Sequence, residues 1–378
     1  MQESLPNRRS RMPKVLRINE SSEKGLKELL KSLLESGKVK GVLTLRKIGE
    51  QGAVSYSLVT NPEDIESTLP LFPLMPVNLA KHLSRLTLKE AATEPIAAVL
   101  KPCELRALVE LVKREQGSLE NLLLISSTCG GVYPLGMVVE GSIEEELPQY
   151  WEAVKQGEAA PDIRPACKAD EYFVPYTADI TISLLGNKDI DKETVLFLNT
   201  EKGEGFVEGI SGKFTEEELD SATMEKIRSR RQAEKQKLSD ETELKNPGID
   251  ELTKTFSKCI GCHNCSKVCP ICYCHVCFFD TKASEHESIY YATELEKTGC
   301  VQVLPDTIFY QLVRLFHVST SCTACGQCAD VCPANIPLWA ISLKTGGAVQ
   351  KAFNYLPGRD VDEELPLTAF KTEEFAGV

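Results

Sequence analysis

Apolar positions in the first 130 residues alternate between a helical and an extended period. Ser21 and Ser22 offer N-caps to a helix that carries Leu26, Leu29, Leu30, Leu33 and Leu34 on one face and ends near Gly37. Strand-like runs follow at 41–48 and 53–60, around a turn holding Gly49 and Gly52. A loop at 71–78 leads into a helix over 79–86, then a short buried strand at 96–100, a helix at 104–115 and a second buried strand at 121–125. Strand, helix and strand at this spacing form a βαβ crossover, which predicts two parallel neighbours. Cys103 and Cys129 each fall just past one of these strands, so both belong to the carboxyl edge where α/β sheets bind ligands.

Further strands are predicted at 181–185 and 194–199, the second leading through Gly203 and Gly205 into 206–210. The stretch from Thr215 to Asp250 is strongly charged and includes Arg228-Ser-Arg-Arg231; it reads as a solvated connecting helix closed by a turn at Asn246-Pro-Gly248. The resulting domain plan is a flexible basic arm (1–18), an α/β domain (19–214), a charged linker helix (215–252), a cysteine-rich helical domain (253–345) and an irregular acidic tail (346–378).

With 43 Lys and Arg against 55 Asp and Glu, the net charge is −12, which argues against a nucleic-acid or membrane-surface footprint. Apolar residues make up 42%, enough for packed cores. No apolar stretch serves as a signal-peptide core or spanning helix, so the expected location is cytoplasmic. Thiols there seldom form structural disulfides. The 15 cysteines, twelve of them from Cys259 to Cys332, therefore read as metal ligands.

Cys259-x2-Cys262-x2-Cys265-x3-Cys269-Pro270 is the bacterial ferredoxin run, and Cys322-x2-Cys325-x2-Cys328-x3-Cys332-Pro333 repeats it. Three closely spaced thiolates wrap one face of a cubane, and the fourth cysteine of each run ligates the other cluster. This assigns Cys259, Cys262, Cys265 and Cys332 to one [4Fe–4S] cluster, and Cys322, Cys325, Cys328 and Cys269 to the second. A pair of zinc sites, in a scaffold without redox chemistry, is the competing reading. The 52 residues between Cys269 and Cys322 exceed a compact hairpin, and 308–316 has helical periodicity. In spacing and helicity the region resembles the helical dicluster ferredoxins of succinate dehydrogenase iron–sulfur subunits and heterodisulfide reductase small subunits. Cys272, Cys274 and Cys277, with Cys300, could hold a further cluster or be thiols packed beside the ferredoxin. His263 and His275 read as packed or exposed imidazoles rather than ligands.

The order Lys-Pro-Cys103, Ser-Ser-Thr-Cys129, Arg164-Pro-Ala-Cys167-Lys-Ala-Asp170 and Thr177-Ala-Asp-Ile-Thr-Ile-Ser183, with Asn199-Thr-Glu-Lys-Gly-Glu-Gly205, resembles the coenzyme F-420 hydrogenase/dehydrogenase β-subunit family, which includes formate dehydrogenase β-subunits. The likeness covers roughly 25–214, with the ferredoxin part appended C-terminally. It implies an FAD-binding domain beside a third [4Fe–4S] cluster held by Cys103, Cys129, Cys167 and the residue at 170. The family usually has cysteine there and this chain has Asp170. A carboxylate can ligate iron, though as a harder donor. The alternatives are a ligand borrowed from Cys272, Cys274 or Cys277, a three-iron cluster, or none. By position in the family, Met75, Pro76, Val77, Asn78 and Lys81 are candidate flavin contacts, as are Thr200, Lys202 and Gly203. The plain alternative for each is loop geometry. No Gly-x-Gly-x-x-Gly follows a strand, so a Rossmann dinucleotide site is not supported.

The expected fold is thus an α/β flavin domain with a mixed sheet, plus a mainly α-helical dicluster ferredoxin domain. The expected function is an oxidoreductase subunit relaying electrons between FAD and [4Fe–4S] clusters. Its partners would be other redox subunits (a formate dehydrogenase, hydrogenase or heterodisulfide-reductase-like protein) and a two-electron carrier such as F-420 or NAD(P)H. The alternative is a flavin-free adaptor whose N-terminal domain only docks a partner.

Overall fold

The computed structural model describes residues 13–49, 53–139, 141, 143–241, 249–281, 286–300 and 307–366. Its strands are β1 (Lys14–Ile18), β2 (Gly41–Ile48), β3 (Ala53–Val59), β4 (Ile96–Leu100), β5 (Leu122–Ser127), β6 (Ile180–Ile182), β7 (Thr194–Leu198) and β8 (Lys213–Glu216). They form one mixed sheet in the order β3-β2-β4-β5-β6-β7-β1-β8. The four inner strands β2, β4, β5 and β6 run parallel, and the others pair antiparallel.

Burial on both faces explains the continuous apolar strands. Along β4, Ala97 and Val99 enter one core while Ala98 and Leu100 enter the other. The first core is covered by α1 (Ser22–Glu35), whose Leu26, Leu29, Leu30 and Leu33 are wholly buried, and by Tyr150 and Val154 of α5 (Ile143–Gln156). Each such leucine contributes roughly 1.5–3 kcal/mol. The second core lies under α2 (Leu79–Leu86) and α3 (Pro102–Val112), through Leu79, Leu83, Leu105 and Leu108. Short helices α4 (Leu135–Val139), α6 (Pro165–Lys168) and α7 (Glu201–Val207) fill the connections.

Four sequence expectations are corrected. The N-terminal arm does not extend to residue 18: Lys14–Ile18 is inserted between β7 and β8, with Val15 and Leu16 buried. Its two cations disguise the strand, and both are paired, Lys14 with Glu204 at 2.6 Å and Arg17 with Glu217 at 2.6 Å. Residues 1–12 lie outside the described residues. The segment 206–210, expected to follow on from the strand at 194–199, is instead the end of helix α7 and the turn after it; Thr200 caps that helix, its Oγ1 accepting from the Gly203 N–H at 3.0 Å.

The third correction concerns the charged linker. It opens with β8 and continues as α8 (Ser221–Glu241), which is not simply solvated: Met224, Ile227 and Arg231 are buried. The turn at 246–248 lies outside the described residues. The fourth concerns the C-terminal tail. Helix α14 (Leu338–Ala352) runs through its start, and Tyr355 and Leu356 beyond it are buried. Tyr355 Oη and the Gly358 N–H, the latter at 2.8 Å, donate to the fully buried Glu110 carboxylate on α3. A buried carboxylate must be satisfied, so the tail is pinned to the α/β domain. Residues 367–378, the rest of that tail, lie outside the described residues.

The cysteine-rich part comprises α9 (Ile249–Phe256), α10 (Asn264–Val268), α11 (Ser288–Thr298), α12 (Thr307–Val318), α13 (Gln327–Asp330) and α14. Phe256, Tyr310, Leu315, Ile336, Leu338 and Ile341 form its core. Arg164 fastens it to the sheet. Buried just before α6, Arg164 donates to Gln327 Oε1 at 3.1 Å and to the Met75 carbonyl at 3.0 Å, and it ion-pairs with Asp330.

Two outcomes follow. A Cβ on Gly203 would stand 2.5 Å from the Asp179 carbonyl oxygen, so Gly203→Ala should cost about 1–3 kcal/mol, read as a lower denaturation midpoint with cofactor content unchanged. Loss of flavin without loss of stability would instead mark Gly203 as a cofactor contact. Arg164→Met leaves a buried carboxylate unpaired, at a cost of about 3 kcal/mol. Faster protease cleavage between the two parts is expected, and unchanged protease resistance would contradict this keystone role.

Candidate functional site

The first site grows out of the sheet. Leu100 of β4 pairs with Ser126 of β5, so the residues following both strands meet at one edge. Cys103 lies in the first turn of α3 and Cys129 two residues past β5. Cys167 lies in α6 with Asp170 just after it. Cys129 and Asp170 lie within electrostatic reach of both Cys103 and Cys167. Burial is the main effect on each thiol and pushes all three up, Cys167 to about 12. Protons are thus retained until a metal displaces them.

The backbone around this set is held by arginine. Arg231 donates to the carbonyls of Cys129 at 2.8 Å and Asp170 at 3.1 Å, with its guanidinium 4.6 Å from the centre of the Phe173 ring. Asp170 Oδ1 accepts from the Tyr172 N–H at 3.0 Å and lies 3.5 Å from Arg106 Nη2. The sequence reading missed Arg231 because a run of three arginines among charged residues looks like a solvated face; nothing in its local pattern marks it.

The two ferredoxin runs fold alike. Gly261 and Ala324, one residue before the second cysteine of each run, have φ of +64° and +54°; His263 and Gly326, one residue after it, have +56° and +76°. Left-handed backbone on His263 and Ala324 is uncommon and costs energy, so its repetition at matching positions marks a loop built around something. Tyr310 Oη lies 3.4 Å from Cys265 Sγ, and Gln311 Nε2 donates to Cys259 Sγ at 3.5 Å. Cys269, from the first run, lies within electrostatic reach of Cys322, Cys325 and Cys328 of the second. Cys332 packs with Cys259 against the core around Phe256, and Cys262 is half-buried in the first loop.

Among the described residues, no three Cys, His, Asp or Glu side chains converge as they would on a single ion. The donor set, its repeated loops and its orphaned buried N–H groups (Arg106 Nε, Arg164 Nε and two nitrogens of Arg314) fit clusters whose sulfurs accept hydrogen bonds.

The remaining sulfurs disperse. Cys272 sits against Cys269 and donates to it, which lowers Cys269 and, with burial, raises Cys272. Cys274 and Cys300 are exposed and Cys277 is half-buried. His263 stacks on Tyr310 at 4.2 Å and bonds Asp280 at 2.9 Å, and His275 is exposed.

The two sites abut. After burial, the largest influence on Cys103 is Cys325 of the second run. A Cβ on Gly326 would lie 2.6 Å from Ala166 Cβ, so the run approaches α6 as closely as glycine allows. The segment Met75-Pro-Val-Asn78 is wedged into this seam: the Pro76 carbonyl accepts from Gln327 Nε2 at 3.1 Å, and Asn78 adjoins the Cys325 thiol while its Oδ1 caps α2. Val77 is half-buried between them, and Lys81 Nζ donates to the Lys267 and Cys269 carbonyls. Thr200, Lys202 and Gly203 lie at the opposite edge, Lys202 Nζ bonding the Leu122 carbonyl and Asp179 at 2.8 Å each. The two sets of candidate flavin contacts are therefore not brought together.

Two clefts border the first site. One follows the carboxyl ends of β4 and β5, between Phe72, Lys101, Ser127, Cys129 and Gly130. A larger one separates Asp170 and Tyr172 from Cys322 and from Trp339 of α14.

Residues 255–336 match the family described as 4Fe-4S dicluster domain. The chain is 30% identical over 373 residues to F420-dependent formate dehydrogenase 1 subunit beta of Methanococcus maripaludis, covering 89% of this chain and 90% of that one. It is 27% identical over 372 residues to F420-dependent formate dehydrogenase subunit beta of Methanocaldococcus jannaschii, covering 89% and 92%. Among solved structures, a chain of the F420-reducing [NiFe] hydrogenase complex from Methanosarcina barkeri is similar at a TM-score of 0.44 and 13% identity, over 64% of this chain and 96% of that one. Among the described residues, no helix is long and apolar enough to cross a membrane. The relatives are oxidoreductase subunits, and with a mixed α/β sheet, a helical dicluster domain and near-full-length identity at this level, the chain belongs to the coenzyme F-420 hydrogenase/dehydrogenase β-subunit family, as a formate dehydrogenase β-subunit-like member.

Proposed function

We propose that this chain relays electrons between FAD, bound at the carboxyl edge of the sheet, and three [4Fe–4S] clusters, and passes them to a catalytic partner subunit in a cytoplasmic complex. The observation that carries this reading is the seam between the second run and the sheet-edge set: a Cβ on Gly326 would lie 2.6 Å from Ala166 Cβ, and Arg106 Nη2 faces Asp170 while it donates to the Thr323 carbonyl at 3.0 Å. The first cluster would be held by Cys103, Cys129, Cys167 and Asp170, the second by Cys322, Cys325, Cys328 and Cys269, and the third by Cys259, Cys262, Cys265 and Cys332. A bound flavin supplies the exchange between two-electron and one-electron chemistry. The names of the relatives, F420-dependent formate dehydrogenase subunits, support an F-420-type carrier as the two-electron partner and a formate dehydrogenase catalytic subunit as the other.

The chain's own residues set the geometry. Lys101 and the Gly130-Gly131 turn line the cleft next to Cys129, the rim at which ligands bind in such sheets. Arg231 fixes the carbonyls of Cys129 and Asp170, holding two of the four donors in register. The engagement of Met75–Asn78 by Gln327 and Arg164 favours a docking role for that segment over direct flavin contact, and it is the feature that a flavin-free adaptor would share.

Anaerobically purified protein should contain about 12 iron atoms, four per cubane, and one FAD per chain. About eight iron atoms and no flavin would replace the relay with the adaptor. Asp170→Ala should lower iron by about four atoms and leave the ferredoxin signals in place; full iron content in that variant would remove Asp170 from the ligand set.

A further inference from the structure

Helix α12 bridges the two ferredoxin runs in sequence and presents Tyr310, Gln311 and Arg314 to their interior, all three buried. Tyr310 and Gln311 reach single sulfurs of the first run. Arg314 is only 4% exposed. Its Nη2 reaches the Cys265 carbonyl at 3.4 Å, while Nε and Nη1 are buried without a hydrogen-bond partner. Burial opposes its charge, yet its strongest charge interactions are with Cys269, Cys328, Cys265 and Cys272, sulfurs from both sides of the pair, and they hold it charged. A buried guanidinium facing thiols rather than carboxylates, with two N–H groups unspent, is costly unless an anion stands there.

We propose that Arg314 is the shared counter-cation of both ferredoxin clusters, donating its two unpartnered N–H groups to cluster sulfur and raising both reduction potentials together. This rests on the reading that the two runs hold [4Fe–4S] clusters. Each cluster takes up one electron and so gains one negative charge; a fixed cation within the pair stabilises the reduced form of each. The position between the runs makes Arg314 a positioning and tuning residue for two centres rather than a ligand of either. It also explains why α12 carries a charged residue among its buried positions.

The test is an EPR-monitored redox titration of the full chain, comparing Arg314→Met and Arg314→Lys with the unaltered protein, alongside iron content. With Arg314→Met, both ferredoxin midpoints should move negative by at least a tenfold change in the one-electron equilibrium, 59 mV. With Arg314→Lys, both should stay near their original values. Unchanged midpoints in a fully iron-loaded Arg314→Met protein would overturn the proposal, as would movement of one cluster alone or equal movement in both variants.

Should Arg314→Met lose its iron, the unaltered protein labelled with ¹⁵N-arginine provides a second reading. A ¹⁵N hyperfine coupling on the reduced ferredoxin clusters, absent from Arg314→Lys, supports the contact, and no such coupling overturns it. Absence of any cluster signal from the unaltered protein would sink the cluster reading itself, a result distinct from all of these.

Discussion

Four arginines sealed from water, Arg106, Arg164, Arg231 and Arg314, lie against the cysteine sites, and much of the architecture follows from satisfying them. A buried guanidinium needs several acceptors in fixed directions. Arg164 takes Gln327, Met75 and Asp330, and so joins the dicluster part to the sheet. Arg231 takes the carbonyls of Cys129 and Asp170, and so draws α8 against the thiol site. Arg106 takes the Thr323 carbonyl at 3.0 Å and faces Asp170, spanning both sites. Thiolates bound to iron would be the anions that such a set of cations calls for, and on that reading the arginines would reduce the repulsion between neighbouring clusters.

Much of this was legible in the sequence wherever a local rule and the tertiary structure agree. The βαβ unit from Ile96 to Ser127 declared itself because parallel strands buried on both faces read as short apolar runs around an amphipathic helix. The ferredoxin runs declared themselves because four thiols on a cubane dictate their own spacing. The illegible parts are those decided by distant partners. Lys14–Ile18 is a strand only because β7 and β8 flank it and acidic residues meet its cations. Arg231 is indistinguishable from Arg228 and Arg230 until Cys129 is placed beside it. The last segment looked like a surface tail because Tyr355 and Gly358 acquire their purpose from Glu110, about 245 residues earlier.

Asp170 stands where the family resemblance implies a cysteine. Its Oδ1 is already engaged by the Tyr172 N–H and faces Arg106, so the carboxylate is oriented before any metal binds. A harder oxygen donor at one corner would distinguish this centre electronically from the two all-cysteine sites. With a cluster at the sheet edge, as proposed, the seam at Gly326 and Ala166 would join that unlike centre to the like pair and give electrons a path from the sheet edge to the ferredoxin runs.

That path is the central claim, and low-temperature EPR of the fully reduced protein tests it most directly. Centres packed against one another at the Cys103–Cys325 seam should give an interaction-broadened spectrum that simplifies when Cys103→Ala removes the sheet-edge cluster. A spectrum that is only the sum of independent cluster signals, unaffected in shape by that substitution, would contradict the account.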